Sequence, residues 1–274
     1  MPKKENYYMS ENVRLTLAKQ IAAESAVLLK NENHLLPVSG GTVAMIGQTL
    51  YQPTLGGMGS GMSFMGRQIP AITDASVALG LMPEPGLDQF YHQYFSQHPQ
   101  ENAMEKLMGK LMELQATGVD LVASGAVYDL FDHYEPQKEE VAVPQELLDA
   151  AAKVTDTALL GLGRSTGSEE CDRYITDDYL LLDSEKKLIR QACAAFSRVI
   201  LLVNTNGLTD LSWIDDFPSI QAVLFIGAGG EMGPAAVAEL LTGKETPSGK
   251  LAFTIADSYE RYPTANQFSF FTSK

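Results

Sequence analysis

Residues 157–204, TALLGLGRSTGSEECDRYITDDYLLLDSEKKLIRQACAAFSRVILLVN, contain two short apolar runs with a helical pattern between them. The runs are Thr157–Leu162 and Arg198–Asn204; the helical pattern covers Asp183–Phe196. A run that is apolar at successive positions, without alternation, fits a strand buried on both faces. Two such strands joined through a helix predict a right-handed parallel crossover, the unit of an open α/β sheet. The pattern extends in both directions. Thr42–Gly47, Val119–Ala123 and Ala222–Ile226 are further runs of this kind, and Leu251–Ile255 reads as a closing strand. Helices are predicted over 13–31, 101–116, 145–154 and 234–241. The first places Leu17, Ile21, Ala22, Ser25, Leu28 and Leu29 on one stripe. Residues 83–99, with their Tyr, Gln and His, fit none of these patterns and are expected to be an insertion. The whole predicts a three-layer α/β/α sandwich around a mostly parallel six-stranded sheet. It would span residues 13–262, with an N-terminal arm (1–12) and a tail or linker (263–274).

Composition narrows the function. The 274 residues hold 20 Lys+Arg against 34 Asp+Glu, a formal net charge of -14. That field repels phosphate backbones and anionic lipid, which argues against nucleic-acid and membrane-surface partners. The longest apolar stretches, such as Val199–Val203, fall far short of the roughly 20 residues a bilayer needs. The start, MPKKENYYMSENVRL, has no apolar segment behind its lysines, so a cytoplasmic protein is expected. Cys171 and Cys193 are too few for a disulfide scaffold or a four-cysteine zinc site. His34, His92, His98 and His133 lack histidine or cysteine neighbours at ligand spacing, so neither a metal nor a cofactor is expected.

Open α/β sheets bind ligands beyond the carboxyl ends of their strands. After the Thr42–Gly47 run come Gln48 and then Gly56-Gly57-Met58-Gly59-Ser60-Gly61. Such glycines let backbone amides approach a phosphate, but a dinucleotide fingerprint starts at the strand end, and about nine residues intervene here. A flexible turn, or a loop lying against another surface, is the competing explanation. Gly161–Arg173 brings together Glu169, Glu170 and Asp172 with Arg164 and Arg173. A carboxyl group there, desolvated by a partner surface, could hold a proton near neutrality and donate it. A solvated acidic loop with its arginines in surface ion pairs is the plainer alternative. Farther on, Asn204-Thr205-Asn206-Gly207 ends one run, and Gly227–Gly233 forms a tight turn expected to need positive φ. Glu231 in that turn either complements the dipole of the next helix or touches a ligand. Trp213, the only tryptophan, is expected to pack a helix onto the sheet.

These segments also follow a familiar order. AAESAVLLKNENHLLPV (22–38) followed by TVAMIG (42–47) resembles the opening of the glycoside hydrolase family 3 C-terminal (α/β)6-sandwich domain. Ser168-Glu169-Glu170-Cys171-Asp172-Arg173 is similar to that family's G/S-E-G-x-D-R loop. ILLVNTNGLTDLSW (200–213), GAGGEMGPAAVAELLTGKETPSGKLAFTI (227–255) and Tyr262-Pro263 continue the likeness. Residues 65–140 lie largely outside it. The resemblance implies a retaining β-glycosidase, often a β-glucosidase, in which two domains share one active site. The nucleophile belongs to a (β/α)8 barrel, and this domain lends the general acid/base. Matched residue by residue, Glu169 takes that role, and Asp172 and Arg173 hold the loop's shape. The family's glycine after the glutamate is Glu170 here, and its usual aromatic is Cys171, so Glu170 is a rival proton donor. Arg164 is expected to support the loop or touch substrate. Gly56, Gly57, Gly59, Ser60 and Gly61 would face substrate or the domain interface. No Ser-Asp-Trp nucleophile segment, no Lys-His pair and no fibronectin-like signature occurs in the sequence. The expected partners are therefore the barrel domain and a β-linked glycoside. The order of motifs resembles the family branch in which this domain precedes the barrel. A non-catalytic carbohydrate-binding or interaction domain is the alternative.

Overall fold

The computed structural model describes residues 10–56, 69–99, 103–120, 123–124, 138–164, 179–205, 207–263 and 265. Six strands form one sheet: β1 (Val27–Asn31), β2 (Gly41–Ile46), β3 (Leu81–Pro83), β4 (Thr157–Gly163), β5 (Arg198–Asn204) and β6 (Ile220–Phe225). Their order across the sheet is β1-β6-β5-β4-β2-β3. Only β1 runs antiparallel, with Val27 opposite Phe225. The centre is the parallel β4–β5 ladder, in which Leu160 faces Leu201 and Gly163 faces Asn204. Val199 through Val203 are all buried, as expected of a strand covered on both faces.

Seven helices occur among the described residues: α1 (Glu11–Ser25), α2 (Ile72–Val77), α3 (Pro85–Gln97), α4 (Ala103–Ala116), α5 (Gln145–Ala151), α6 (Asp183–Ala195) and α7 (Gly233–Thr242). α1 and α2 pack against α7 on one side, while α3 packs on α5 and α5 on α6 on the other. The result is the expected α/β/α sandwich. From β2 the chain moves outward to β3, then returns past β2 to β4 and continues through β5 to β6. The connections thus reverse direction between β2 and β4, and a reversal of this kind opens a crevice above the carboxyl ends of the two strands.

The structure corrects several local expectations. The helix predicted over 13–31 stops at Ser25, and Val27–Asn31 becomes the edge strand β1. Leu28 and Leu29 have helical spacing from Leu17 and Ile21, but the segment pairs with β6 instead, with a register shift between Leu28 and Lys30. Of the predicted stripe only Ala22 is buried. Ala22, Ala23 and Ala26 face the core, whereas Leu17 and Ile21 are exposed. Leu251–Ile255 forms no strand, because β1 already occupies the place beside β6. It runs as coil beside β6, with the Phe253 ring 6.1 Å from that of Phe225, edge-on. Of the run 119–123, Leu121 and Val122 lie outside the described residues, Val119 and Asp120 belong to no strand, and Ala123 lies in a turn closed by its N–H on the Asp120 carboxylate. Residues 83–99 are no insertion. Glu84 caps α3 by accepting from the Leu87 N–H, and Leu87 and Tyr91 lie fully buried.

Candidate functional site

The turn leaving β2 is pressed onto the end of β4. Gly47 has φ +106°, and a side chain there would collide with the Gly161 carbonyl. The following single turn of 3-10 helix, Gln48–Leu50, lies over Gly161 and Gly163. A Cβ on Gly161 would come within 2.6 Å of the Thr49 methyl, and one on Gly163 within 2.7 Å of the Thr49 hydroxyl. Glycine is therefore required on both strands for the backbones to meet. From α3, Tyr91 supports this turn from below, its phenol oxygen accepting the Gly47 N–H at 2.7 Å.

Asn204, at the end of β5 and 1% exposed, fastens the rim together. Its Oδ1 accepts from the Thr49 hydroxyl at 2.9 Å and the Thr54 N–H at 2.7 Å. Its Nδ2 donates to the Thr54 carbonyl at 2.9 Å and the Gly227 carbonyl at 2.6 Å. Its own carbonyl accepts the Arg164 N–H at 3.0 Å. One side chain and its peptide thus fix the loops leaving β2, β4 and β6 relative to β5. The Gly230 N–H adds a bond to the Leu55 carbonyl, bringing the turn after β6 against the start of the glycine-rich segment.

Arg164 leaves β4 and turns inward. Its guanidinium forms a two-pronged ion pair with Glu185, including Nη2 to Oε2 at 2.7 Å. Both groups are 2% exposed or less. Beside them Glu140, also buried, accepts the Gln48 N–H at 2.8 Å and the Val141 N–H at 3.1 Å. Burial raises the Glu140 carboxyl to a pKa of about 7, the two N–H donors and Arg164 pull it down, and Glu185 pushes it up.

Of the residues expected to carry chemistry, Glu169, Glu170, Asp172 and Arg173 lie outside the described residues, as do Gly57, Gly59, Ser60 and Gly61. Gly56 is half-buried beside Leu55 at the rim. Gly227 and Gly230 have the positive φ expected of the turn after β6. Glu231 sits in a turn of 3-10 helix before α7 and is ion-paired with Arg14 of α1. Trp213 is partly buried against the core and donates its indole N–H to the Asp210 carbonyl. Among the described residues no group of three or more His, Cys, Asp or Glu is placed to hold a metal, and no helix is long and apolar enough to cross a membrane. An apolar groove of about 670 Å³ lies apart from this rim, between β1, β6 and residues 251–257, lined by Leu29, Leu211, Ile214 and Phe253. Glu140, Glu185 and the central place of Asn204 were not foreseen. The only sequence signal for Glu185 is its position three residues after Leu182, where a helix-start carboxylate belongs.

Comparison with known proteins assigns this rim to a family. Beta-glucosidase of Ruminococcus albus is 30% identical over 261 residues, covering 94% of this chain and 24% of that protein. Beta-glucosidase A of Butyrivibrio fibrisolvens is 29% identical over 279 residues, covering 93% and 30%. The crystal structure of a beta-glucosidase from Paenibacillus barengoltzii superposes with a TM-score of 0.80 at 29% identity, covering 96% of this chain and 26% of that one. The chain thus spans about a quarter to a third of these relatives' length. Residues 26–273 match the glycosyl hydrolase family 3 C-terminal domain, and the chain belongs to that family.

Proposed function

We propose that this domain supplies the general acid/base of a retaining β-glycosidase of β-glucosidase type, whose nucleophile resides on a (β/α)8 barrel outside it. The observation that carries this reading is the family match over 26–273 on a sheet whose post-strand loops converge at Asn204. One of those loops, leaving β4 at Arg164, contains the Glu169-Glu170-Cys171-Asp172-Arg173 stretch. The names of the relatives, β-glucosidases, support the substrate class.

Retaining hydrolysis needs two carboxyl groups about 5–5.5 Å apart across the scissile bond. In the first step the barrel carboxylate attacks the anomeric carbon while Glu169 gives its proton to the leaving oxygen. In the second, Glu169 takes a proton from water, which attacks the same carbon and frees the nucleophile. Glu170 is the rival donor. Asp172 and Arg173 hold the loop, and the segment from Gly56 to Gly61 faces the sugar or the barrel. With one carboxyl of the pair elsewhere, the chain by itself hydrolyses nothing.

The test replaces the matching segment of the Ruminococcus albus enzyme with this chain and assays an aryl β-glucoside. Glu169→Ala should lower turnover by about 10²–10⁴-fold, azide should restore part of it, and Glu170→Ala should change little. A wild-type rate in Glu169→Ala passes the role to Glu170 if that variant is the crippled one. A folded chimera with no turnover refutes the reading.

A further inference from the structure

We propose that Glu185, acting through Arg164, is the positioning residue for the loop leaving β4, setting the separation of its two ends and thereby the reach of its proton donor. The proposal rests on the acid/base reading above. Arg164 directly follows β4, and Tyr179 and Leu180 lie shortly before α6. The exit is held on β5 by the Arg164 N–H on the Asn204 carbonyl. The re-entry is held at the Tyr179 carbonyl, which accepts the Thr209 hydroxyl at 3.1 Å and the Asp210 N–H at 2.8 Å. Between these anchors lies the buried Arg164–Glu185 pair. The Arg164 guanidinium takes Glu185 on both prongs and reaches the Leu180 carbonyl at 3.5 Å. Glu185 Oε2 also accepts the Leu182 N–H at 2.8 Å, which fixes the start of α6. One end of the loop therefore carries the cation, and the other carries its acceptors.

A buried ion pair adds little stability over apolar side chains of equal volume, but its forked geometry imposes a direction. Neither group is exposed to a substrate, so each acts through the loop and not on the sugar. A displacement of about 1 Å at a reacting group costs on the order of 10²-fold in rate, so even a small slackening between the two ends should show in turnover.

The test uses two conservative variants in the chimera described above. Glu185→Gln keeps the shape and loses the charge; Arg164→Lys keeps the charge and loses the fork. Both should lower kcat by about 10- to 100-fold with KM within about threefold, the pattern of a group that aligns the reaction and not of one that binds the sugar. In the full 274-residue chain, amide hydrogen exchange should show Leu182 losing protection in Glu185→Gln while Leu160 and Leu201 keep theirs. An unchanged kcat overturns the proposal. So does protection falling alike at all three amides, which would make the pair a general support of the fold. The two readings fail separately. Glu169→Ala at wild-type rate removes the acid/base assignment, and the positioning role falls with it. A normal Glu185→Gln beside a crippled Glu169→Ala removes only the positioning role.

Discussion

The rim above β2, β4, β5 and β6 and the flank formed by α1 and β1 hold the same sheet in opposite ways. At the rim, contact is close and enclosed: the Gly47 backbone meets the Gly161 carbonyl, the Thr49 side chain lies over Gly163, and the buried Asn204 amide fills all its hydrogen-bonding positions. On the flank, small residues such as Ala22, Ala23 and Ala26 make the buried contact and the larger apolar side chains stay at the surface. Leu17, Ile21, Leu28 and Leu29 are all more than a third exposed, and α1 is tied down by Arg14 to Glu231 and Lys19 to Glu239. A site that must hold reacting groups in fixed geometry needs the first kind of support, because side chains locked by close packing and by hydrogen bonds have no other rotamer to take. A flank tolerates the second.

The sharpest way to break this contrast is Gly47→Ala. A methyl group at φ +106° would meet a carbonyl that cannot rotate aside, and a loss of more than about 4 kcal/mol is expected in urea unfolding. A loss below about 1 kcal/mol would show that the rim yields as readily as the flank. Asn204→Ala comes next, at about 3 kcal/mol, since it removes a buried amide and strands the part-buried Thr54 and Gly227 groups now paired with it. Glu140→Gln sharpens the contrast through pH. The folded chain raises this carboxyl from 4.5 to about 7, so it holds a proton that the unfolded chain has released between those values. Its contribution is greatest below about pH 4.5 and falls away as pH rises through 7. The variant should flatten that slope, on the order of 3 kcal/mol at 1.36 kcal/mol per pKa unit, as measured by thermal unfolding from pH 5 to 8. At the small end, Ile21→Gln on the flank should change stability by no more than about 0.5 kcal/mol.

The same contrast governs what the sequence discloses. β4, β5 and β6 are legible because burial on both faces leaves uninterrupted apolar runs, such as Val199–Val203. The edges are not. β3 is only three residues long and ends in Pro83, and β1 is half-exposed, so neither carries that signature. Six strands were expected and six are found among the described residues, with β1 and β3 unexpected and 251–255 running as coil. α3 was obscured by its polar outer face, although Leu87 and Tyr91 carry its packing. At the site, Gly227 and Gly230 take the positive φ expected of the turn after β6, whereas Gly57, Gly59 and Gly61 lie outside the described residues. The hub could not be foreseen, because Asn204 and Thr54 lie 150 residues apart and meet only when the sheet has formed. Nor does local spacing disclose that Arg164 would turn inward to Glu185 rather than out to solvent.

The two kinds of fastening also differ in their response to ionic strength. Arg14 and Lys19 are each about a third exposed on the side chain, whereas Arg164 and Glu185 are almost wholly enclosed. Mobile ions reach the first pairs and not the second, and at 1 M salt their screening length shrinks to about 3 Å. Concentrated salt should therefore loosen α1 from the turn after β6 while leaving the Arg164–Glu185 fork intact, freeing one side of the molecule and keeping the other fixed.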